Sequence, residues 1–238
     1  MSRNFCLDKE KMDLLFTDLG KEYRKLSKNP IQIVVVGGAA IFTKYSFRIM
    51  SLDIDGMLLP FKSDALKHAI NNVSDKNNIP RGWLNDDFIK TESFSHNIAL
   101  YSDYYKTFSN IIEVRIITSP HLIAMKLMSF RPYKYDLSDI YGIIAEERKN
   151  NNPITKDQII SAIKDLYGDK NISDDATIFL NNIFTNIDQI ENRLEKTRVL
   201  ENLNKAVIAE SFNKLENEDN KQKLINELLS RMKKEATK

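Results

Sequence analysis

The segment Ile31-Gln32-Ile33-Val34-Val35-Val36 is apolar at every position but one and almost wholly β-branched. Such a run has no polar side to turn toward water, so it reads as a strand covered on both faces. Gly37-Gly38 follow at once, then the short helix-like "AAIFTKYS", then "SLDIDGML", which reads as a second strand carrying Asp53 and Asp55. Strand, glycine pair, short helix and acidic strand form the framework of the N-terminal part.

The flanking segments supply cover for that framework. Leu7 to Ser27 places Met12, Leu15, Phe16, Leu19 and Tyr23 at three-to-four spacing, the pattern of an amphipathic helix, and Asn29-Pro30 ends it. Ser63 to Val73 is expected as a helix capped by Ser63, and the region around Trp83 as a loop or short helix. "NIALYS" and "NIIEVRIIT" are expected as strands, the second with Ile112, Val114 and Ile116 on one face. From Ser119 onward every segment reads helical. Ser119-Pro120 opens one helix, and Asp136 is expected to cap the next, which runs to about Glu147. Asn150-Asn151-Asn152-Pro153 then marks a polar linker, followed by three more helical stretches, the last from Asp188 to Leu215, and a terminal helix. The expected fold class is α+β: a mixed β-sheet flanked by helices over residues 1–149, then a helical bundle over residues 150–238.

Composition narrows the functional classes. With 35 basic and 33 acidic residues the formal net charge is +2, which neither demands nor excludes a nucleic-acid partner. A single cysteine, Cys6, rules out an internal disulfide and a cysteine-based metal cluster. The N-terminus lacks the apolar core of a secretion signal and no apolar run reaches membrane-spanning length, so a cytoplasmic protein with no membrane association is expected. His68, His96 and His121 share no metal-ligand spacing, and no Ser-His-Asp or Cys-His arrangement can be argued from them.

Chemistry therefore rests on acids, glycines and one lysine. Asp53 and Asp55 lie two apart, so on a strand both side chains leave the same face, where they repel each other unless a cation intervenes. Mg²⁺, which prefers carboxylate oxygens and water, suits such a pair, while an exposed strand end pointing both acids at solvent is the plain alternative. Gly37-Gly38, between strand and helix start, let backbone N–H groups approach a phosphate closely, though a tight turn alone also calls for glycine. Glu113, interrupting "NIIEVRII" beside Arg115, is the candidate third acid of a two-metal site, or else a solvated residue on an exposed face. Lys126 falls within the apolar stripe Ile123, Leu127 and Phe130, and would either snorkel to the surface or reach a triphosphate. Asp139 reads as a first-turn acid on its helix dipole.

The block from the strand through Gly37-Gly38 to Ser51-Leu52-Asp53-Ile54-Asp55 resembles the signature of the nucleotidyltransferase (DNA polymerase β-like) superfamily. More narrowly, it is similar to the bacterial AbiEii-like and related nucleotidyltransferases of toxin–antitoxin loci. "SPHLIAMKLMSFRPYKYDLSDI" looks like a second block of that group, and Trp83-Leu84-Asn85 resembles a short element of some members. The resemblance implies that Gly37, Gly38 and Ser51 hold nucleotide phosphates and that Asp53 and Asp55 bind the catalytic metals. Lys126 would contact the triphosphate, with Asp139 in support. It implies a two-metal Mg²⁺ site with a nucleoside triphosphate as donor. The acceptor would be an RNA such as tRNA, a protein or a small molecule, and a cognate antitoxin would be the partner. A fold kept for binding nucleotide or a protein partner, its site degraded, is the rival expectation. The chain departs from the family pattern at Arg48, one residue further from Asp53 than expected, and at Gly56, where a bulky apolar residue is usual.

Overall fold

The computed structural model describes residues 5–60, 63–214 and 226–234. The chain divides into two compact units, Met1–Leu122 and Ile123–Lys238.

In the first unit, α1 (Lys9–Leu26) starts on Asp8, whose carboxylate accepts the Lys11 N–H at 2.8 Å, and buries the predicted stripe of Met12, Leu15, Phe16, Leu19 and Tyr23. Its Gly20 permits a close seat: a Cβ there would stand 2.7 Å from Ser109 Cβ. Five strands form one mixed sheet: β1 (Ile31–Val35), β2 (Ile54–Leu59), β3 (Leu84–Asn85), β4 (Ser102–Phe108) and β5 (Ile112–Ile117), in the order β3-β2-β1-β5-β4. The β-branched run takes the central place, antiparallel to β2 and parallel to β5, and Ile33, Val34 and Val35 are wholly buried. A parallel neighbour requires a crossover, and the chain between β1 and β5 supplies α2 (Gly37–Lys44), β2, α3 (Asp64–Asn77), β3 and β4. Ser63 caps α3 as expected, accepting the Leu66 N–H at 3.3 Å.

Three details of this unit differ from expectation. "NIALYS" forms a 3₁₀ turn over His96–Tyr101 ending at the first residue of β4, and the edge strand is the polar "SDYYKTF" that follows. An edge strand exposes most of its side chains, so β4 carries no apolar alternation to read. The second strand starts at Ile54. Ser51 makes only an isolated antiparallel bridge to Leu7, and Asp53 sits in a bend before β2. Leu84–Asn85, expected as loop or helix, adds a short parallel strand to β2.

The second unit begins inside α4 (Ser119–Ser129) and continues with α5 (Asp136–Lys149), α6 (Lys156–Tyr167), α7 (Asp174–Thr185) and α8 (Ile190–Lys214), and residues 226–234 are helical. The asparagine stretch before Pro153 joins α5 to α6 within this unit, because α8 packs along α5 and ties it to the helices that follow. Thr155 and Gln158 close a capping box on α6, and Ser173 caps α7. Phe179 of α7 meets the rings of Phe130 and Tyr141 edge-on. Part of the expected terminal helix, and Leu215 itself, lie outside the described residues. No helix among the described residues is long and apolar enough to cross a membrane.

Candidate functional site

Five of the predicted residues converge at the end of β1. Val36 precedes α2 and donates its N–H to the Asp55 carbonyl at 2.9 Å, so the glycine turn and β2 are fastened side by side. Gly37 adopts φ +62°, and a Cβ there would stand 2.8 Å from Asp55 Oδ2; backbone conformation and space both demand glycine. A Cβ on Gly38 would stand 2.6 Å from an Arg48 guanidinium nitrogen and 2.9 Å from Ser51 Oγ. The first turn of α2 thus has a carboxylate on one side and a guanidinium with a hydroxyl on the other. No acidic residue occupies that turn, whose N–H groups favour anions. The loop carrying Arg48 and Ser51 is anchored by two backbone bonds to Leu7, at 2.7 and 2.9 Å.

Asp53 and Asp55 flank the wholly buried Ile54, both partly exposed. Asn85, opposite Asp55 in the β2–β3 register, donates to Asp53 Oδ2 at 3.4 Å. Gly56 is also explained: a Cβ there would lie 3.2 Å from Ile33 Cγ2 and 3.3 Å from Leu84 Cδ1, so neighbouring side chains fill the space of the expected bulky residue.

Glu113 is not brought to this place. It pairs with Gln32 at the opposite end of β1, accepting from Gln32 Nε2 at 2.9 Å and from Arg115 at 3.2 Å. Gln32 and Val36 are four residues apart, so Glu113 is set back from Asp55 by about 13 Å along the strands. Extending the β1–β5 register by one residue brings the apolar, buried Ile117 level with Asp55. Among the described residues, no group of three or more His, Cys, Asp and Glu side chains is arranged to hold a metal ion.

Lys126 and Asp139 meet within the second unit. The Lys126 ammonium is buried, donating to Asp139 Oδ2 at 2.7 Å and to Asp136 Oδ1 at 3.3 Å, so it does not snorkel. Arg131 binds Asp136 through its side chain at 2.8 and 3.2 Å and through its backbone N–H at 3.1 Å, and Ser129 adds a bond at 3.2 Å. Burial pushes the Asp136 carboxyl upward, but the charges of Lys126 and Arg131 and the Arg131 hydrogen bonds outweigh it and hold the group below the ordinary aspartate range.

Asp136 is therefore an ion-pair partner, and the expectation that it caps α5 is corrected. The cap position is Tyr135, at φ +62° and with no side-chain cap bond. Glu201 of α8 does the work, its Oε1 accepting the Leu137 and Ser138 N–H groups at 2.9 and 3.4 Å. Its Oε2 is buried without a hydrogen-bond partner among the described residues. Burial, with the Asp139 charge adding to it, raises the Glu201 carboxyl to about 7 against the hydrogen bonds from Ser138 and Leu137.

Two contributors to the first-unit site were not assigned from sequence. Arg48, noted from sequence only as standing one residue further from Asp53 than the family pattern, is the only charged residue of the loop from Tyr45 to Leu52. Asn85 depends on a two-residue strand that no periodicity reveals. No family model, curated protein or solved structure matches the chain.

Proposed function

We propose that the first unit binds a nucleoside triphosphate together with Mg²⁺ and acts as a nucleotidyltransferase, as its resemblance to the polymerase β-like superfamily implies. The observation that carries this reading is the cradle around Gly37-Gly38, where Asp55 crowds one glycine while Arg48 and Ser51 crowd the other. The donor set fits the metal: Asp53 and Asp55 offer the oxygen ligands that Mg²⁺ takes, and would hold it. Bound Mg²⁺ would neutralise triphosphate charge and favour attack at the α-phosphate. Gly38 lets Arg48 and Ser51 pack against the start of α2, where the first N–H groups of α2 and the Ser51 hydroxyl would donate to a phosphate oxygen and Arg48 would offset its charge. Asn85 orients Asp53 through its amide. The acceptor, whether RNA, protein or small molecule, and an antitoxin partner belong to the same proposal.

A second reading is favoured by Ile117, which stands where a third acid would lie level with Asp55. On that reading the unit binds nucleotide, or a protein partner, without turnover. Calorimetric titration of the four nucleoside triphosphates with and without Mg²⁺, on wild type and Asp53→Ala/Asp55→Ala, tests both. Mg²⁺-dependent binding lost in the double variant supports the site, and transfer of label from an α-labelled donor to an acceptor then selects transferase over binder. Absence of Mg²⁺-dependent binding by the wild type overturns the proposal.

A further inference from the structure

The seam between α5 and α8 is held by polar groups. Between Glu191 and Glu210 the buried residues of α8 are Glu201 and Asn204, while Leu194, Leu200 and Ile208 are only half-buried. Asn204 donates to the Pro132 carbonyl at 2.9 Å, and Glu201 Oε1 accepts the Leu137 and Ser138 N–H groups at the start of α5. A helix seated by apolar side chains is indifferent to pH, because burying hydrocarbon moves no proton. A helix whose most deeply seated group is a carboxyl responds to pH whenever that group titrates differently in place and in water.

Glu201 carries an oxygen for which ionisation is unfavourable. Oε1 has its two donors, whereas Oε2 is buried and has no hydrogen-bond partner among the described residues. An anionic oxygen there would give up its hydration without a replacement hydrogen bond. The charged groups around the seam favour the same protonated state. Asp139 of α5 acts on Glu201 and disfavours a second negative charge. The cations nearby are engaged with other groups: Lys126 of α4 with Asp136 and Asp139, Arg131 with Asp136, Arg193 of α8 with Tyr141, and Lys205 over the Tyr135 ring at 5.9 Å.

We propose that Glu201 is a pH-operated latch: protonated, it holds α8 against the start of α5, and ionised, it lets α8 open away from α5 while the rest of the second unit stays folded. With α8 seated, Glu201 is raised from an ordinary 4.5 to about 7, so the closed form is the better proton binder. The latch is fully engaged below about pH 4.5 and is released as pH rises through about 7. Linkage between these two values makes the opening of α8 about 70-fold more favourable at pH 8 than at pH 5. The proposal is independent of any nucleotide chemistry in the first unit.

Amide hydrogen exchange of the full chain at pH 5, 6, 7 and 8, corrected for the intrinsic rate at each pH, reads this opening residue by residue. The amides of Leu137, Ser138 and α8 from Lys196 to Ala209 are expected to be less protected than those of α6 and α7. Their protection is expected to fall about 70-fold from pH 5 to pH 8. Glu201→Gln, which keeps an oxygen for the two N–H groups and cannot ionise, is expected to hold the same protection across the range. Glu195→Gln, at an exposed position of the same helix, is expected to keep the wild-type fall. Wild-type protection of α8 that does not change with pH overturns the proposal. So does a fall that survives Glu201→Gln. So does an α8 that exchanges no faster than α6 and α7, because the helix would then open only when the whole unit unfolds.

Discussion

Asp53 and Asp55 in the first unit stand two residues apart and Asp136 and Asp139 in the second three apart, yet the two pairs differ in burial. Asp136 and Asp139 are wholly buried, and α4 and the turn after it deliver Lys126 and Arg131 to them. Asp53 and Asp55 are partly exposed: Asn85 donates to Asp53, Asp55 stands against Gly37, and the Arg48 guanidinium stands at the adjacent Gly38. Buried carboxylates with cations supplied by the chain are part of the fold. The first pair is partly open to solvent, and that exposure beside a helix start is the ground on which the proposed nucleotide site is placed there.

Lys126→Met tests the structural side most severely. It would leave two buried carboxylates without their shared ammonium and is expected to cost about 3–5 kcal/mol in denaturant unfolding; a loss below about 1 kcal/mol would break the comparison. Glu201→Gln sharpens it. The folded-state carboxyl sits near 7 against an ordinary 4.5, so the folded chain holds the proton more tightly. That contribution is full below about pH 4.5 and is lost as pH rises through about 7, which penalises the wild type at pH 8 by about 3 kcal/mol. Glutamine keeps an oxygen for the Leu137 and Ser138 N–H groups but cannot ionise. The variant is expected to match wild type at pH 5 and exceed it at pH 8 in thermal unfolding, and equal pH slopes would refute the assignment.

Gly37→Ala probes the other pair. Positive φ and the approach of Asp55 together are expected to cost about 1–2 kcal/mol of stability, with Mg²⁺-dependent nucleotide binding lost in calorimetry. Glu113→Gln is expected to do least: stability within about 0.5 kcal/mol and nucleotide binding unchanged, because Gln32 and Arg115 hold Glu113 at the far end of β1. Loss of binding in this variant would restore Glu113 as a ligand.

What was legible in the chain follows from the range of the forces involved. The stripe of α1, the Ser63 cap and the convergence of Gly37, Gly38, Ser51, Asp53 and Asp55 are local, written within a turn or a single strand–helix–strand passage. Glu113 needed the β1–β5 register, set across 81 residues, to show that it lies too far back. β4 hid because an edge strand exposes polar side chains. Asp136 misled because a serviceable cap residue at a helix start is read as a cap, whereas the true donor of that function is remote in sequence. Lys126 was rightly singled out as a charge in an apolar stripe, but its partners lie on α5, ten and thirteen residues further on.

The Glu201 cap has a consequence during synthesis. The start of α5 receives its carboxylate from a residue 64 positions after Leu137. At about 5–20 residues per second, a nascent chain spends roughly 3–13 s with the first turn of α5 made and its cap not yet translated. Through that interval the N–H groups of Leu137 and Ser138 have only water or a passing carboxylate to bind, so the second unit is closed from its C-terminal side, by the emergence of α8.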